Sequence, residues 1–290
     1  MQSVQKELRI KMNELYTISG ISRQGYHKSI NRARQDDALW QRLLETVVEF
    51  RKDYPHSSAR KIHYKLQIAE VGINRFERFV SEQGLSVKKP RSFIRTTYRG
   101  TNCYPNLVNG LLLNGINQLW VSDITYFLTL NGTFYIVFIL DVYSRRIIGY
   151  SASDNMLVIN NQKALEMAFN TRKQNRFEGL IHHSDKGSQY GANAYVSMLQ
   201  RANITISMAN ICLENPYAER INGIIKNDYL TAYNINDLQG LRKALSRSVR
   251  LYNNFPHGEL ERRSPMEFER YLGQVDTLEH PEMNLYDFRK

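Results

Sequence analysis

The dipeptide Asn131-Gly132, set between two runs rich in aromatic and β-branched residues, constrains this chain more than any other local feature. Asn-Gly accepts the positive φ angles of a two-residue hairpin. Residues 120–128 and 134–140 therefore read as antiparallel neighbours, and 146–151 as a third strand. The grammar then changes. Val158, Ala164, Leu165, Ala168 and Phe169 recur at helical spacing over 158–170. A fourth strand is expected at 180–183, a helix at 192–201 and a short fifth strand at 204–207. An irregular loop over 208–216 leads into a helix carrying Glu219, and further helices are expected at 237–253 and 265–272.

Three antiparallel strands, then helix, strand, helix, strand, helix, is the order of a ribonuclease H-like α/β domain, a five-stranded mixed sheet with flanking helices. The organisation expected is a helical region over 1–85, a basic linker over 86–115, the α/β core over 116–275 and a tail over 276–290. Charge divides the same way. The first hundred residues hold 20 Lys and Arg against 10 Asp and Glu, the remainder 19 against 18. A basic first part suits a polyanion, and the near-neutral remainder suits another task. Residues 86–100 carry Lys88, Lys89, Arg91, Arg95 and Arg99 without an acid, an arm suited to a nucleic-acid backbone.

Two helix-turn-helix patterns precede that arm. In the first, Gly20 breaks two helical pieces, and Ser22 is placed to cap the second, which presents Arg23, Gln24, Tyr26, His27 and Lys28. A separate amphipathic helix is expected over 37–52, ended by Pro55. The second pattern spans 58–68 and 74–82, with Arg60, Lys61, Lys65, Arg75 and Arg78 left for phosphates. Cys103 and Cys212 form no CxxC pair, which excludes a Cys-based zinc site or a disulfide framework and fits a reducing cytosol. No run of 18 apolar residues or signal-peptide core occurs, so a soluble, cytoplasmic protein is expected.

The chemistry is sought among the acids. Asp123 lies in mid-strand, Asp185 where a strand meets the turn Lys186-Gly187, and Glu219 on a helix. Brought together, three carboxylates would hold a pair of hard Mg²⁺ ions, with Mn²⁺ as a substitute, for phosphoryl transfer. Glu219, Asn222 and Lys226 share a helix face, which aims Lys226 at the same DNA. Lys186 sits beside Asp185 as a further cation for the backbone. Glu214 rivals Glu219 but lies at a helix entrance, where an acid serves as a cap; Glu219 is preferred. Asp141 and Asp154 read as turn acids, and His182 and His183, on opposite sides of a strand, as packing or hydrogen-bonding groups.

At Trp120-Val-Ser-Asp123, His183-Ser-Asp-Lys-Gly-Ser-Gln-Tyr190, Asn215-Pro-Tyr-Ala-Glu-Arg220 and Lys226, and again at Tyr252-Asn-Asn and Ser264-Pro-Met-Glu-Phe268, the chain resembles bacterial insertion-sequence transposases of the IS-three family. These are relatives of retroviral integrases, and the likeness covers nearly the whole chain. It implies Asp123, Asp185 and Glu219 as metal ligands and Lys226 as a contact to transposon-end DNA. It also implies cutting and joining by water or 3′-OH attack, without a covalent enzyme intermediate. The implied partners are double-stranded DNA at element ends and target, further copies of the chain, and the product of an upstream reading frame. Nucleoid association follows from the same likeness, and no membrane is involved. The interval between Asp185 and Glu219 is slightly shorter than is usual in that family.

Overall fold

The computed structural model describes residues 12–87 and 103–285. The arm cations Lys88, Lys89, Arg91, Arg95 and Arg99 lie outside the described residues. Two compact units form, residues 1–52 and 53–290. Among the described residues no helix is long and apolar enough to cross a membrane.

In the first unit α1 spans Met12–Ser19 and is followed by a turn in which Gly20 takes φ +66°. Ser22 then accepts the Gly25 N–H at 3.0 Å, the cap expected for the next helix. That helix, α2, runs unbroken over Arg23–Asp53, so the separate helix expected from residue 37 is its continuation. Nothing between Tyr26 and Tyr54 stops it, since neither Gly nor Pro occurs there.

The second unit begins with a helical pair, α3 (Ala59–Lys65) and α4 (Ile73–Glu82). Ser58 caps α3 by accepting the Lys61 N–H, and Ile62, Val71, Phe76 and Val80 are buried. After the two-residue strand β1 (Leu112–Leu113) come β2 (Leu119–Thr129), β3 (Gly132–Asp141), β4 (Ile147–Ser153), α5 (Val158–Arg172) and β5 (Ile181–Ser184). Then follow α6 (Asn193–Arg201), β6 (Thr205–Met208), α7 (Pro216–Ile224), α8 (Leu238–Asn253), α9 (Pro265–Leu272) and β7 (Met283–Asn284). The five-stranded sheet has the order β4-β3-β2-β5-β6. β2, β3 and β4 pair antiparallel, and β5 and β6 continue parallel to β2. This is the ribonuclease H-like arrangement expected from the order of elements.

Successive residues feed opposite faces. Val121, Ile136, Phe138 and Leu140 pack with α7 and α8 through Ala218, Ile221, Leu241 and Leu245. Trp120, Val137, Ile139 and Ile148 pack with α5 and α6 through Leu165, Ala168, Tyr195 and Leu199. With both faces covered, β3 reads as a continuous apolar run rather than an alternating one. β1 and β7, which the sequence did not reveal, pair antiparallel and join residues 112–113 to 283–284.

At Gly149 α5 lies close against the sheet. A Cβ there would stand 2.1 Å from the Ala164 carbonyl oxygen and 3.1 Å from the Ala168 Cβ. Gly149→Ala must push helix from sheet and is expected to cost about 3 kcal/mol, the upper end for overpacking. A urea midpoint unchanged from the parent would show that α5 yields freely.

Candidate active site

Two adjacent parallel strands build the floor. β2 pairs with β5 in the register Leu119↔Ile181, Trp120↔His182, Val121↔His183. The last of these pairs lies two residues before Asp123 on β2 and two before Asp185, just past the end of β5. Both side chains are half-buried. Asp185 Oδ1 accepts the Gly187 N–H at 3.0 Å. A Cβ on Gly187 would approach that oxygen to 2.9 Å, so the turn favours glycine.

Burial lifts the Asp123 carboxyl to about 8, assisted by repulsion from Asp185 and, more weakly, from Glu219. The Ile124 N–H and the Asn222 amide pull the other way. Asn222, nine-tenths buried, donates to Asp123 Oδ2 at 2.8 Å. Glu219 is exposed at the first turn of α7, and partial desolvation raises its pKa. Asp123 thus feels the charge of both other acids. Among the described residues, however, no three His, Cys, Asp or Glu side chains are gathered into a set that would hold a metal ion as they stand. Asp123 and Asp185 are electrostatically coupled, and Glu219 stands exposed on the neighbouring helix.

Helix α7 is fastened along β2 by polar bridges. At its start the Asn215 amide donates to the Ser122 carbonyl at 3.0 Å. Beyond Asn222 the helix passes into a π-helical turn, Ile225–Tyr229, a distortion found often at functional sites. Within it Lys226 donates to Thr125 Oγ1 at 3.1 Å and lies 4.7 Å from the Tyr126 ring centroid. Burial lowers its pKa, and Asp123 opposes that shift. Below the floor, Ser122 Oγ donates to the Phe138 carbonyl at 2.8 Å and meets the buried Tyr190 hydroxyl at 2.9 Å.

The rival acids have other engagements. Glu214 Oε2 accepts the Asn210 N–H at 2.6 Å and the Asn106 amide at 2.8 Å. These bonds, working against partial burial, hold Glu214 below the ordinary carboxylate range. Asp141 is fully buried, with Arg172 at 2.8 Å. Asp154 accepts from the Asn155 amide. His182 meets the Tyr195 hydroxyl at 3.0 Å, while His183 bridges Ser207 and the Glu214 carbonyl. Burial pushes them down to about 3 and about 4, so both stay neutral at physiological pH.

The remaining cations are scattered. Lys186 donates to Asn210 Oδ1 at 2.8 Å. Arg60 pairs with Glu77 at 2.7 Å, and Lys61 with Asp228 at 3.3 Å. Arg75 is exposed on α4, and Arg23 and Lys28 on α2. Sequence reasoning placed Asn222 on the right helix face but missed its partner; an amide three residues after the acid was the available signal. It also missed Asn215 and Tyr190, whose bonds to Ser122 leave no pattern in the chain.

Residues 114–211 match the integrase core domain family, and residues 201–265 match a second integrase core domain family. The chain is 32% identical over 274 residues to the insertion element IS600 uncharacterized 31 kDa protein of Shigella sonnei, covering 89% of this chain and 98% of that one. It is 31% identical over 229 residues to the transposase for insertion sequence element IS629 of the same organism, covering 77% and 75%. With transposase InsF for insertion sequence IS3A of Escherichia coli it shares 37% identity over 142 residues, covering 47% and 49%. Among solved structures, the HTLV-2 integrase catalytic core domain in complex with magnesium is similar at 16% identity and a TM-score of 0.43, over 57% of this chain and 99% of that one. The strand order, rather than that overlap, carries the fold.

Proposed function

The chain belongs to the insertion-sequence transposases built on an integrase core domain, and on that premise we propose that it cuts DNA at element ends and joins the freed 3′-OH ends to target DNA. The observation that supports the reading is the charge of both Asp185 and Glu219 felt at the Asp123 carboxyl, on adjacent strands whose last pair, Val121 with His183, lies two residues before the two aspartates.

The donor set is all oxygen, acidic and electrostatically crowded, which suits a hard divalent cation. Asp123, Asp185 and Glu219 would hold Mg²⁺, as a pair of ions, with Mn²⁺ a substitute. When bound, such ions neutralise charge on the scissile phosphate and activate the attacking oxygen. The chain's own side chains do the rest. Asn222 orients the Asp123 carboxylate through its bond to Oδ2. Lys226, held by Thr125 and Tyr126, presents a fixed positive charge to a phosphate beside that carboxylate. In cleavage a water oxygen bonds to phosphorus and the bond to the 3′ oxygen breaks. In joining, that 3′ oxygen attacks a target phosphate, and the target's own 3′ oxygen leaves. We place both steps on duplex DNA within a homo-oligomer, with an upstream-frame product as a further partner.

The test is incubation with Mg²⁺ and labelled duplexes of the DNA bordering the reading frame. Joined strands support the proposal. Nicks without joining would make the protein a nuclease, and bound but unaltered DNA a silent regulator. The choice of acid has its own check. Glu219→Gln should lower cleavage about a hundredfold or more, since charge stabilisation at such a centre is worth several kcal/mol. Glu214→Gln should leave turnover within a few-fold and cost about 1 kcal/mol of stability through its loop bonds. The reverse ranking would move the site to Glu214.

A further inference from the structure

We infer that Ser122 is the junction that spaces the three acids, and that Tyr190 and Asn215, which meet there, are positioning residues for the cation those acids would hold. The inference rests on the proposed metal-dependent reaction, and it names what sets the geometry of its site.

Ser122 stands one residue before Asp123 and is fully buried. Its hydroxyl carries a single hydrogen, which goes to the Phe138 carbonyl at 2.8 Å. In the 2.9 Å contact with the Tyr190 hydroxyl, Tyr190 is therefore the donor. Tyr190 closes the turn that begins at Asp185. There Asp185 Oδ1 accepts the Gly187 N–H, and the Gly187 carbonyl accepts the Tyr190 N–H at 3.0 Å. The turn is bonded to itself, and the phenol ties it to β2. The Ser122 carbonyl takes a second tie, from the amide of Asn215 at the entrance of α7, the helix of Glu219. One residue of β2 thus sits next to the first acid and holds the elements of the other two.

The bonding of Asn215 departs from local preference. Asn at the entrance of a helix ordinarily turns its side-chain oxygen to the first N–H groups of that helix. The Ser58, Asp237 and Ser264 side chains do this for α3, α8 and α9. Helix α7 receives no such cap. Instead the Asn215 amide reaches across to β2 at 3.0 Å, and among the described residues its buried Oδ1 meets no hydrogen-bond partner. A buried acceptor left unmet is destabilising. Helix α7 therefore forgoes local stability for a contact that fixes its entrance one residue from Asp123, and such breaches gather at functional sites. On the other side, the paired register of β2 with β5 ends at Val121 with His183. Past that pair, Tyr190 supplies a link between β2 and the Asp185 turn. Asn222 differs from both, because it bonds the Asp123 carboxylate itself.

The test uses the full chain and Mn²⁺ alone, with binding read from the loss of the free-ion paramagnetic resonance, and amide hydrogen exchange in EDTA. Ser122→Ala and Tyr190→Phe should each weaken Mn²⁺ binding about tenfold, the usual loss when a group that orients a ligand is removed. Together they should still lose about tenfold, because both delete the same bond. Asn215→Ser breaks the separate bond to the Ser122 carbonyl, so combined with Tyr190→Phe it should lose about a hundredfold. Serine caps a helix as well as asparagine does. The urea midpoint of Asn215→Ser should therefore hold or rise while Mn²⁺ affinity falls, a split that a merely structural role would not give. In EDTA, Tyr190→Phe should speed exchange over residues 186–191 about tenfold or more and leave 136–140 unchanged. The inference is overturned if either Tyr190→Phe or Asn215→Ser binds Mn²⁺ within about twofold of the parent. It is also overturned if the losses from Ser122→Ala and Tyr190→Phe multiply, or if exchange of the Asp185 turn keeps the parent's rate. Should Ser122→Ala fail to fold, the other two variants decide alone. Failure of the catalytic proposal would show instead in Asp123→Asn binding Mn²⁺ as tightly as the parent, and exchange in EDTA then still decides whether Ser122 holds the turn.

Discussion

Asp123→Asn and Asp185→Asn proteins are expected to bind element-end DNA within about threefold of the parent, because phosphate contacts elsewhere supply most of the affinity. They are expected to cut it about a thousandfold more slowly or worse. A cation-holding carboxylate contributes several kcal/mol at such a centre, and each 1.4 kcal/mol is a factor of ten in rate. The comparison is clean because neither loss should come from unfolding. Burial and the charge of Asp185 lift Asp123 to about 8, so the folded protein disfavours the ionised acid, and a neutral amide of the same shape removes that cost. The melting temperature should hold or rise. Single-turnover cleavage and anisotropy on one preparation decide the matter. A variant that retains a tenth of the parent's strand joining would remove Asp123 and Asp185 from the chemistry.

The second large effect lies away from the site. Arg172, at the end of α5, reaches Asp141 Oδ2 at 2.8 Å and both oxygens of Glu269. Asp141 also accepts the N–H groups of Asn117 and Ser144. Burial raises the Asp141 pKa against the pull of Arg172, whereas at Glu269 the bonds from Arg172 and the charge of Arg146 outweigh burial and lower it. Arg172→Met leaves a fully buried carboxylate short of its counter-charge and should cost about 3–5 kcal/mol. Adding Asp141→Asn should restore a good part of that, because the stranded charge goes while the acceptor for Asn117 stays. Urea denaturation of the single and double variants measures both. A single variant within 1 kcal/mol of the parent would mean that Arg172 contributes little net stability.

Strand identities were legible because β2 and β3 are rich in aromatic and β-branched residues and Asn131-Gly132 marks the hairpin between them. Register was not legible: nothing local in Leu119 or Ile181 says that they pair, yet that pairing sets the strand leading to Asp123 beside the strand leading to Asp185. The same reason hid Asp141. Its partner lies 31 residues away, and a lone Asp at a strand end looks like a turn acid. The continuity of α2 was readable in the missing Gly and Pro, but the amphipathic pattern over 37–52 suggested a new start. β1 and β7, two residues each, are too short to show any period. The expectation for the acids went further than the geometry does. Side-chain convergence depends on repulsions that no spacing encodes.

The clasp of β1 with β7, with the Leu285 N–H donating to the Leu111 carbonyl at 2.9 Å, means that polypeptide enters and leaves the sheet domain at one address. Such adjacency is what rearranged gene products exploit. A core whose two ends already touch can be reopened elsewhere and sealed there by a short peptide bridge.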